Sequence, residues 1–387
     1  MISRLNKVDC CYCGACGAGC PRGSISYVQD REGFYYPEID MGACTECGQC
    51  ERVCPPLHPF GREDPIGAFA CKHKEPHIRR ASSSGGVFHA LAEHVINRSG
   101  VVFGAVMDAQ NQCIHTHVTD MKDLPKIMGS KYVQSYLGDT FHKVKEFLSQ
   151  SKLTLFCGTP CQVAGLKHFL GINNGNIIYV DLICHGVPSP GVLNRYREYV
   201  EGIKKIRVKE MRFRHKDKQW NLMDSMVIRD EHDQISRTKS DQYLSGFLAN
   251  YYLRPSCGEC KANGYRSGAD ITLGDYWGGC LKLKEFDDGQ GVSAVIIRSA
   301  KGAEIYGEVS SGLDAVPADI AHIARFNHNL EGSSKHHPGR AAFFDDYRKG
   351  HNFKYLAEKH IRRRPALILK RTLGAKTLFW LYDICKK

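Results

Sequence analysis

The chain has 387 residues, of which 42% are apolar and 24% are charged, and this ordinary globular composition excludes a disordered or fibrous protein. The formal net charge is +12, but the last 36 residues alone contain ten Lys or Arg against two Asp or Glu. Outside that tail no basic stripe with interleaved aromatic residues occurs, so we expect no nucleic-acid partner.

Cysteine is concentrated near the start of the chain, where residues 10–54 hold nine of the 18 cysteines. The first ten residues, MISRLNKVDC, contain no apolar segment of the kind found in a signal peptide. We therefore expect a cytoplasmic protein whose thiols stay reduced. In that setting a local cluster of cysteines favours metal or redox chemistry over a disulfide framework.

One internal repeat accounts for most of these cysteines. Cys10 opens a C-x2-C-x2-C-x3-C-P motif, and Cys44 opens the same motif 34 residues later. In two-cluster ferredoxins the first three thiolates of each motif bind one 4Fe-4S cluster, and the fourth reaches the other cluster. The spacing therefore predicts two crossed ligand sets, namely Cys10, Cys13, Cys16 and Cys54, and Cys44, Cys47, Cys50 and Cys20. A pair of structural zinc knuckles fits this spacing poorly, and we interpret the off-pattern Cys11 as a spectator thiol.

Composition divides the chain into four parts. We predict a two-cluster ferredoxin-type domain over residues 1–56, a Pro-rich linker over 57–65, a second domain over 66–345 and a basic helical tail over 346–387. In the second domain we predict strands at Val101–Val106, Cys113–Val118 and Ile177–Cys184 and a strand ending at Cys157, with helices in FHALAEHVIN and GVLNRYREYVE. The alternation indicates an α/β or α+β fold.

Two interpretations of the tail stay open. Leu369, Leu373, Trp380 and Ile384 share one helical face, although Lys376 falls on it as well. The tail either packs on its own domain or lies in solvent, or it forms an interfacial helix that gives peripheral contact with the inner face of a membrane. No segment of the chain contains 18 consecutive uncharged apolar residues, so we predict no membrane span.

Five further motifs together carry a family resemblance. They are RRASSSGGVF from Arg79, GSKYVQS from Gly129, FCGTPCQVAGL from Phe156, DLICHGVPSP from Asp181 and CGECKANGYRSGADITLGDYWG from Cys257. With them the chain resembles the β-subunit family of factor-420 (8-hydroxy-5-deazaflavin) hydrogenases and dehydrogenases. The resemblance is to the long bacterial form with an N-terminal two-cluster ferredoxin domain, often encoded among surface-polysaccharide genes, and it extends to about residue 345. It implies that the second domain is a mixed α/β domain holding a flavin, usually FAD, and a third 4Fe-4S cluster.

The resemblance points to two loops and a helix entrance as the flavin site, with the candidate residues Ser83, Ser84, Gly85, Gly86, Lys131, Gln134, Ser135 and Thr159. Backbone amides at a Gly-rich helix entrance hold phosphate well, and a cation near the ring stabilises reduced flavin. Without the resemblance, the Ser/Gly segment is more typical of a helix cap and GSKYVQS of a surface loop.

For the third cluster the candidate ligands are Cys161, Cys184, Cys257 and Cys260. Cys157 competes with Cys161, pairs with it as a redox dithiol, or is a buried spectator. His185 and Asp275 stand beside these motifs as candidate proton shuttles, and the alternative for both is a structural hydrogen-bonding role.

These features predict an iron-sulfur flavoprotein oxidoreductase. Electrons would pass between a ferredoxin-like donor, the clusters and a flavin that exchanges hydride with a small organic substrate or a deazaflavin coenzyme. The alternative is an electron-transfer protein or adaptor that serves a partner oxidoreductase, for instance in surface-polysaccharide synthesis. No motif specifies the substrate.

Overall fold

The computed structural model of the chain describes residues 2–171, 175–216, 226–238 and 241–361. The strands in these ranges are β1 Ile25–Gln29, β2 Tyr35–Ile39, β3 Gly67–His73, β4 Val101–Met107, β5 Cys113–Val118, β6 Thr154–Gly158, β7 Ile177–Leu182, β8 Val208–Phe213, β9 Met226–Asp230, β10 Ile235–Thr238, β11 Ile271–Asp275, β12 Ser293–Ile297 and β13 Leu313–Pro317. The α-helices are α1 Ala15–Ala18, α2 Gln49–Arg52, α3 Pro76–Ala81, α4 Val87–Asn97, α5 Leu124–Ile127, α6 Thr140–Ser149, α7 Pro160–Leu170, α8 Pro190–Lys204, α9 Gln242–Leu248, α10 Gly279–Lys282, α11 Ala300–Val309, α12 Ile320–Phe326, α13 Arg340–Arg348 and α14 Phe353–His360.

An eight-stranded mixed sheet organises the second domain, with strand order β13-β3-β12-β11-β7-β6-β4-β5. The neighbours β4, β6, β7 and β11 run parallel, and the flanking pairs are antiparallel. Apolar, β-branched runs such as IIYVDL suit central parallel strands because these are covered on both faces. The predicted mixed α/β class is confirmed, and the four predicted strands correspond to β4, β5, β6 and β7.

Helices cover both faces of this sheet. Val102, Leu155 and Ile178 belong to a buried cluster with α4 and α11. The adjacent residues Phe103 and Phe156 point the other way, into a cluster with α6 and α7. This alternation follows from the period of two in a strand and produces three layers.

The parallel strands bring distant sequence motifs to one edge of the sheet. Thr159 follows β6, Cys184 follows β7 by two residues, and Asp275 ends β11. Carboxyl ends of parallel strands meet at the same edge, which is where α/β sheets bind ligands. The ICHG and GTPC motifs are neighbours for this reason.

The N-terminal region is built from the β1-β2 hairpin and two one-turn helices. It packs against the second domain through α1 and α7. At this contact a Cβ atom added to Gly165 of α7 would lie 2.9 Å from the sulfur of Cys13. At the other end of the hairpin Glu32 forms ion pairs with Arg340 and Arg348. The cysteine-rich region is thus held tightly on the second domain.

The described start of the predicted tail forms part of the core. Phe353, Leu356 and Ala357 of α14 are buried in a cluster that also contains residues of α8 and α9. The other tail residues singled out above, Leu369, Leu373, Trp380 and Ile384, lie outside the described residues. Among the described helices, none is long and apolar enough to cross a membrane. The four-part division of the chain stays a prediction.

Candidate iron-sulfur and flavin site

The second predicted ligand set lies at the surface. Cys20, Cys44, Cys47 and Cys50 line a cavity of about 350 Å³. Cys47 is exposed and the other three are partly buried. Burial opposes ionisation of Cys20, but hydrogen bonds from Ser24 and nearby amides outweigh it, so the pKa of this thiol is lowered. The crossed combination predicted from the spacing is therefore the combination that converges here.

The first predicted set lies inside the molecule. Cys10, Cys13, Cys16 and Cys54 are all buried and line a cavity of about 300 Å³. The pKa of Cys16 is raised to about 12 and that of Cys54 to about 11, mainly by burial and in part by Cys10. Four close thiols of this kind become thiolates together only when a cation neutralises them. The donor set fits an iron-sulfur cluster, and its ligand roles stay predictions.

A third set of thiols gathers at the carboxyl edge of the parallel strands. Its members are Cys161 at the start of α7, Cys184 after β7, and Cys257 and Cys260 in and after a 3-10 helix. Burial raises the pKa of Cys184 well above its usual value, and the other three thiols raise it further. The amide of Val187 donates to the sulfur of Cys257 at 3.4 Å. This set also fits a 4Fe-4S cluster, which thiolates and amide donors hold.

Cys157 has different neighbours from Cys161. Burial raises the pKa of Cys157 to about 12, Asp181 raises it further, and Lys131 lowers it. The charged groups that act on Cys157 are therefore Asp181 and Lys131, whereas Cys161 acts on the other three thiols of the third set. This separation favours Cys161 as the ligand.

Cys11 connects the first and third sets. Its thiol lies close enough to those of Cys13 and Cys161 for both to shift its pKa. Cys13 and then burial raise the pKa of Cys11 well above its usual value, while Cys161 opposes this shift. Its interpretation as a spectator stays a prediction. Its thiol lies between the first and third sets.

Arg254 is the residue in this region that sequence analysis missed. Its side chain is fully buried, and it donates from Nε to the carbonyl oxygen of Cys10 at 2.6 Å and from Nη1 to Oε1 of Gln134 at 3.1 Å. The guanidinium lies over the ring of Tyr36, 4.2 Å from the centroid. A single arginine in the sequence LRPSC carries no signal of this position.

The candidate flavin residues fall into two groups, of which the first joins two loops. The hydroxyl oxygen of Ser83 accepts hydrogen bonds from the amide of Ser130 at 2.8 Å and from its hydroxyl at 3.0 Å. The next residue, Lys131, donates to the carbonyl oxygen of Met128 at 2.6 Å. Desolvation lowers the pKa of Lys131 to about 8. Within the described residues Lys131 forms no ion pair, so its partly buried charge fits an anionic group.

Packing alone explains the glycine pair in the first loop. A Cβ at Gly85 would lie 2.2 Å from the carbonyl oxygen of Cys71, and one at Gly86, whose φ is +99°, would lie 2.9 Å from Cβ of His73. The amide of Gly85 donates to Ser293, and the hydroxyl of Ser84 donates to the carbonyl oxygen of Val292. The glycines are therefore required by close backbone contact, whatever they bind.

The second group surrounds the start of α7. Thr159 forms a capping box with Gln162, and its hydroxyl lies 3.2 Å from the sulfur of Cys161. Ser135 accepts from the side chain of Gln162 at 2.8 Å and contacts His115 at 2.9 Å, while Gln134 accepts from Arg254 as described above. Gln134, Ser135 and Thr159 thus support the third thiol set, and a flavin role for them stays a prediction.

Lys216 is a second residue that sequence analysis missed. Its ammonium donates to the carbonyl oxygens of Arg79 and Ser84. Desolvation, and then the charges of Arg214 and Arg79, lower its pKa to about 7. It stands in a run of charged residues, RFRHKDK, which by itself indicates only a solvated loop.

The two candidate proton shuttles have structural partners. Nε2 of His185 lies 2.6 Å from Oδ1 of Asn250, and its ring packs on Phe247. The carboxylate of Asp275 forms a buried ion pair with Arg214. These contacts agree with the structural alternative, and a proton-transfer role for either residue stays a prediction.

Comparison with known proteins identifies two regions of the chain that resemble known families. Residues 151–318 match the family model for the C-terminal part of the beta subunit of coenzyme F420 hydrogenase/dehydrogenase. Residues 36–61 match a second model, "4Fe-4S binding domain". The predicted resemblance is confirmed, with a ferredoxin-type region ahead of the region that is similar to the beta subunits.

Three relatives and one solved structure give the extent of this similarity. The chain is 23% identical over 189 residues to the F subunit of F(420)H(2) dehydrogenase of Methanosarcina mazei, a match that covers 45% of this chain and 53%, about half, of the relative. It is 32% identical over 57 residues to the VorC subunit of ketoisovalerate oxidoreductase of Methanothermobacter marburgensis, covering 14% of this chain and 71% of the relative. It is 36% identical over 61 residues to "Ferredoxin-like protein in nif region" of Rhizobium leguminosarum bv. trifolii, covering 14% of this chain and 88% of the relative. A chain of the F420-reducing NiFe hydrogenase complex from Methanosarcina barkeri is 19% identical, with a TM-score of 0.48 over 70% of this chain and 90% of that one. The chain is thus an iron-sulfur protein related to oxidoreductase subunits.

Proposed function

We propose that this protein is an iron-sulfur flavoprotein oxidoreductase that takes electrons from a ferredoxin-like donor and delivers them to a small molecule. The proposal goes beyond the family relationship in three respects: a third cluster, a flavin, and a substrate of its own. An organic compound or a deazaflavin coenzyme would accept the electrons.

The observation that carries the proposal is the contiguity of the three thiol sets. Cys50 of the surface set lies close enough to Cys54 of the buried set to raise its pKa. The thiol of Cys11 is close enough to those of Cys13 and Cys161 for both to shift its pKa. The three thiol sets are thus neighbours in the fold, from exposed Cys47 to the carboxyl edge of the parallel strands, which suits electron transfer between bound clusters.

The chain's own side chains set the conditions for each bound group. When bound, 4Fe-4S clusters exchange single electrons and a flavin exchanges either single electrons or a hydride, so together they link one-electron and two-electron chemistry. The burial of Cys10, Cys13, Cys16 and Cys54 excludes water from the first set, whereas Cys47 keeps the second set accessible to a donor protein. Amide donors such as Val187 stabilise the negative charge of the third set.

For the flavin, which we expect to be FAD, Lys131 and Ser83 are the residues that we favour. Lys131 brings a positive charge without an ion pair among the described residues, and Ser83 ties its loop to the segment that carries this lysine. Lys216 is a further candidate because its ammonium reaches the carbonyl oxygen of Ser84 in the same loop. A cation at the pyrimidine edge of the ring would favour the reduced, anionic flavin.

The second candidate is an electron-transfer protein that serves a partner oxidoreductase. Two of the relatives are named as subunits of oxidoreductases, which favours this alternative. In that case the tail beyond residue 361 would bind the partner or the inner face of a membrane. A role in surface-polysaccharide synthesis would apply to either candidate.

The test is a count of cofactors followed by turnover. In anaerobically purified chain, the proposal expects about twelve iron, about twelve sulfide and one acid-released flavin per polypeptide. Chemically reduced ferredoxin should then reduce the flavin, and a screen of small-molecule acceptors should reoxidise it. About eight iron without flavin would contradict the proposal and support the adaptor, as would full cofactor content with electron transfer only to a partner protein.

A further inference from the structure

The side chain of Arg254 is enclosed between the first and third thiol sets. It is fully buried, and its Nε donates to the backbone of Cys10, a member of the first set. Its own carbonyl oxygen accepts the amide hydrogen of Cys257, a member of the third set, at 2.9 Å. Arg254 is therefore tied to both sets, to one through its side chain and to the other through its backbone.

This buried cation has no carboxylate partner among the described residues. A guanidinium out of water is normally compensated by an anion, because an isolated buried charge is costly. The side-chain partners of Arg254 are the carbonyl oxygen of Cys10, the amide oxygen of Gln134 and the ring of Tyr36, all of them uncharged. Its Nη2 has no hydrogen-bond partner in the described part of the chain.

The missing anion is supplied if both thiol sets hold clusters. A 4Fe-4S cluster with four thiolate ligands carries net negative charge, which becomes larger on reduction. Arginine stays protonated in proteins, so its charge is fixed whatever the redox state. A fixed positive charge close to a cluster favours the reduced form, by an amount that grows as the surroundings become less polar.

Resting on the proposed function, we propose that Arg254 is the shared counter-charge of the clusters held by the first and third thiol sets and raises the reduction potential of both. The surface set of Cys20, Cys44, Cys47 and Cys50 has no part in the contacts of Arg254 given above, and water already screens it. Arg254 thus makes the clusters of the first and third sets better electron acceptors than they would be without it, and leaves the surface cluster unaffected. Electrons entering at Cys47 would be drawn inward by this difference.

Redox titration of the anaerobic holoprotein, followed by electron paramagnetic resonance, tests the proposal. In Arg254→Met, the electron affinity of two of the three clusters should fall at least about tenfold, which is 59 mV for a one-electron couple, while the third is unchanged. Arg254→Lys, which keeps the charge, should restore most of the difference. Unchanged potentials, or an equal shift in all three clusters, would overturn the proposal.

Arg298→Met is the matched control. Arg298 is also buried, lies over an aromatic ring and donates to the backbone oxygen of Tyr265, but its nearest charges are Asp181 and Glu63 instead of thiols. Its loss should leave the reduction potentials of all three clusters unchanged. A shift like that of Arg254→Met would show that the effect comes from general destabilisation of the fold.

Iron is counted in every sample before titration, so that a failure of the proposed function can be distinguished from a failure of the role of Arg254. Fewer than about twelve iron in the wild type contradicts the proposed function, whereas full iron with unmoved potentials contradicts only the role of Arg254. If Arg254→Met retains no iron, Arg254→Gln is titrated in its place, because it keeps a donor for the carbonyl oxygen of Cys10 while removing the charge.

Discussion

The two cysteine motifs near the N-terminus have identical spacing and opposite environments. The set completed by Cys54 is buried against α7, where Gly165 leaves room for Cys13. The set completed by Cys20 opens to solvent at Cys47. One motif, used twice, thus produces an interior site that faces the third thiol set and a surface site that faces outward. Contacts with the second domain, and not the motif itself, therefore determine which thiol set is buried and which is exposed.

The largest expected effect follows from replacing one cysteine ligand in each of the two sets. Cys13→Ser and Cys47→Ser should each lower the iron content by about one cluster, or about four of twelve iron. Cys13→Ser should also lower the melting temperature more, because it replaces a buried thiol with a hydroxyl that needs a hydrogen bond. Iron analysis and thermal scans measure both effects. Unchanged iron in either variant would contradict the crossed ligand assignment.

Exposure to oxygen should separate the two sets in time. The cluster held by the exposed Cys47 set should be lost before the one held by the buried Cys16 set, because oxidants reach accessible sulfur first. Timed air exposure, with iron and sulfide counted on desalted samples, should give a plateau after the first cluster is lost. Simultaneous loss of all iron would mean that burial does not protect the first set.

The contact between α7 and the first set gives a narrower test. Gly165→Ala should lower occupancy of the first cluster only, because the new methyl group would lie 2.8 Å from Cβ and 2.9 Å from the sulfur of Cys13. Gly307→Ala is its control, since Gly307 is an exposed helical glycine with open space around it. That change should stabilise the fold by up to about 1 kcal/mol through helix propensity. Equal iron in both variants would show that the Gly165 contact does not matter to the cluster.

The smallest expected effect is the pH-dependent contribution of Lys131 to stability. Its pKa falls from 10.5 to about 8 on folding, mainly through desolvation. Between these values the unfolded chain binds more protons, so the destabilisation is complete below about pH 8 and disappears as the pH rises to about 10.5. The melting temperature of Lys131→Met, relative to wild type, should therefore be higher by a few degrees, roughly 2 to 4 °C, at pH 7 than at pH 10.

Lys126→Met provides the comparison for this prediction. Lys126 is an exposed neighbour that pairs with Asp123 at 2.6 Å, so its relative melting temperature should not vary in this way. Flavin counted in the same samples should fall for Lys131→Met alone. A pH-independent difference for Lys131→Met would mean that this lysine is not desolvated in the folded protein.

Local chemistry made part of the site predictable. The spacing of Cys10, Cys13 and Cys16 brings three sulfurs together within one loop, so sequence alone specifies that set except for its distant fourth member. The strands Val101–Met107 and Cys113–Val118 were predictable for a similar reason, because a short run of β-branched residues favours a β-strand locally. Arg254 and Lys216 were not predictable, because their burial depends on segments more than a hundred residues away.

The glycine pair shows a different limit of sequence analysis. Gly85 and Gly86 stand at a helix entrance, which is the reason to predict that they hold a cofactor. In the structure their small size is required by Cys71 and His73, whose backbone and side chain pass too close for a Cβ atom. A sequence can show that a position needs glycine, but it does not show which neighbour imposes the need.

The sequence by itself predicted the two crossed cysteine sets, the mixed α/β class and the resemblance to a known family. These depend on spacing and periodicity within short segments, where the covalent chain limits the geometry. Only the tertiary structure decided which set is buried, that Cys161 and not Cys157 joins Cys184, Cys257 and Cys260, and that Arg254 lies between two thiol sets. The physical reason is that burial and charge compensation depend on contacts between distant segments, which exist only after the parallel strands have brought their carboxyl ends to one edge.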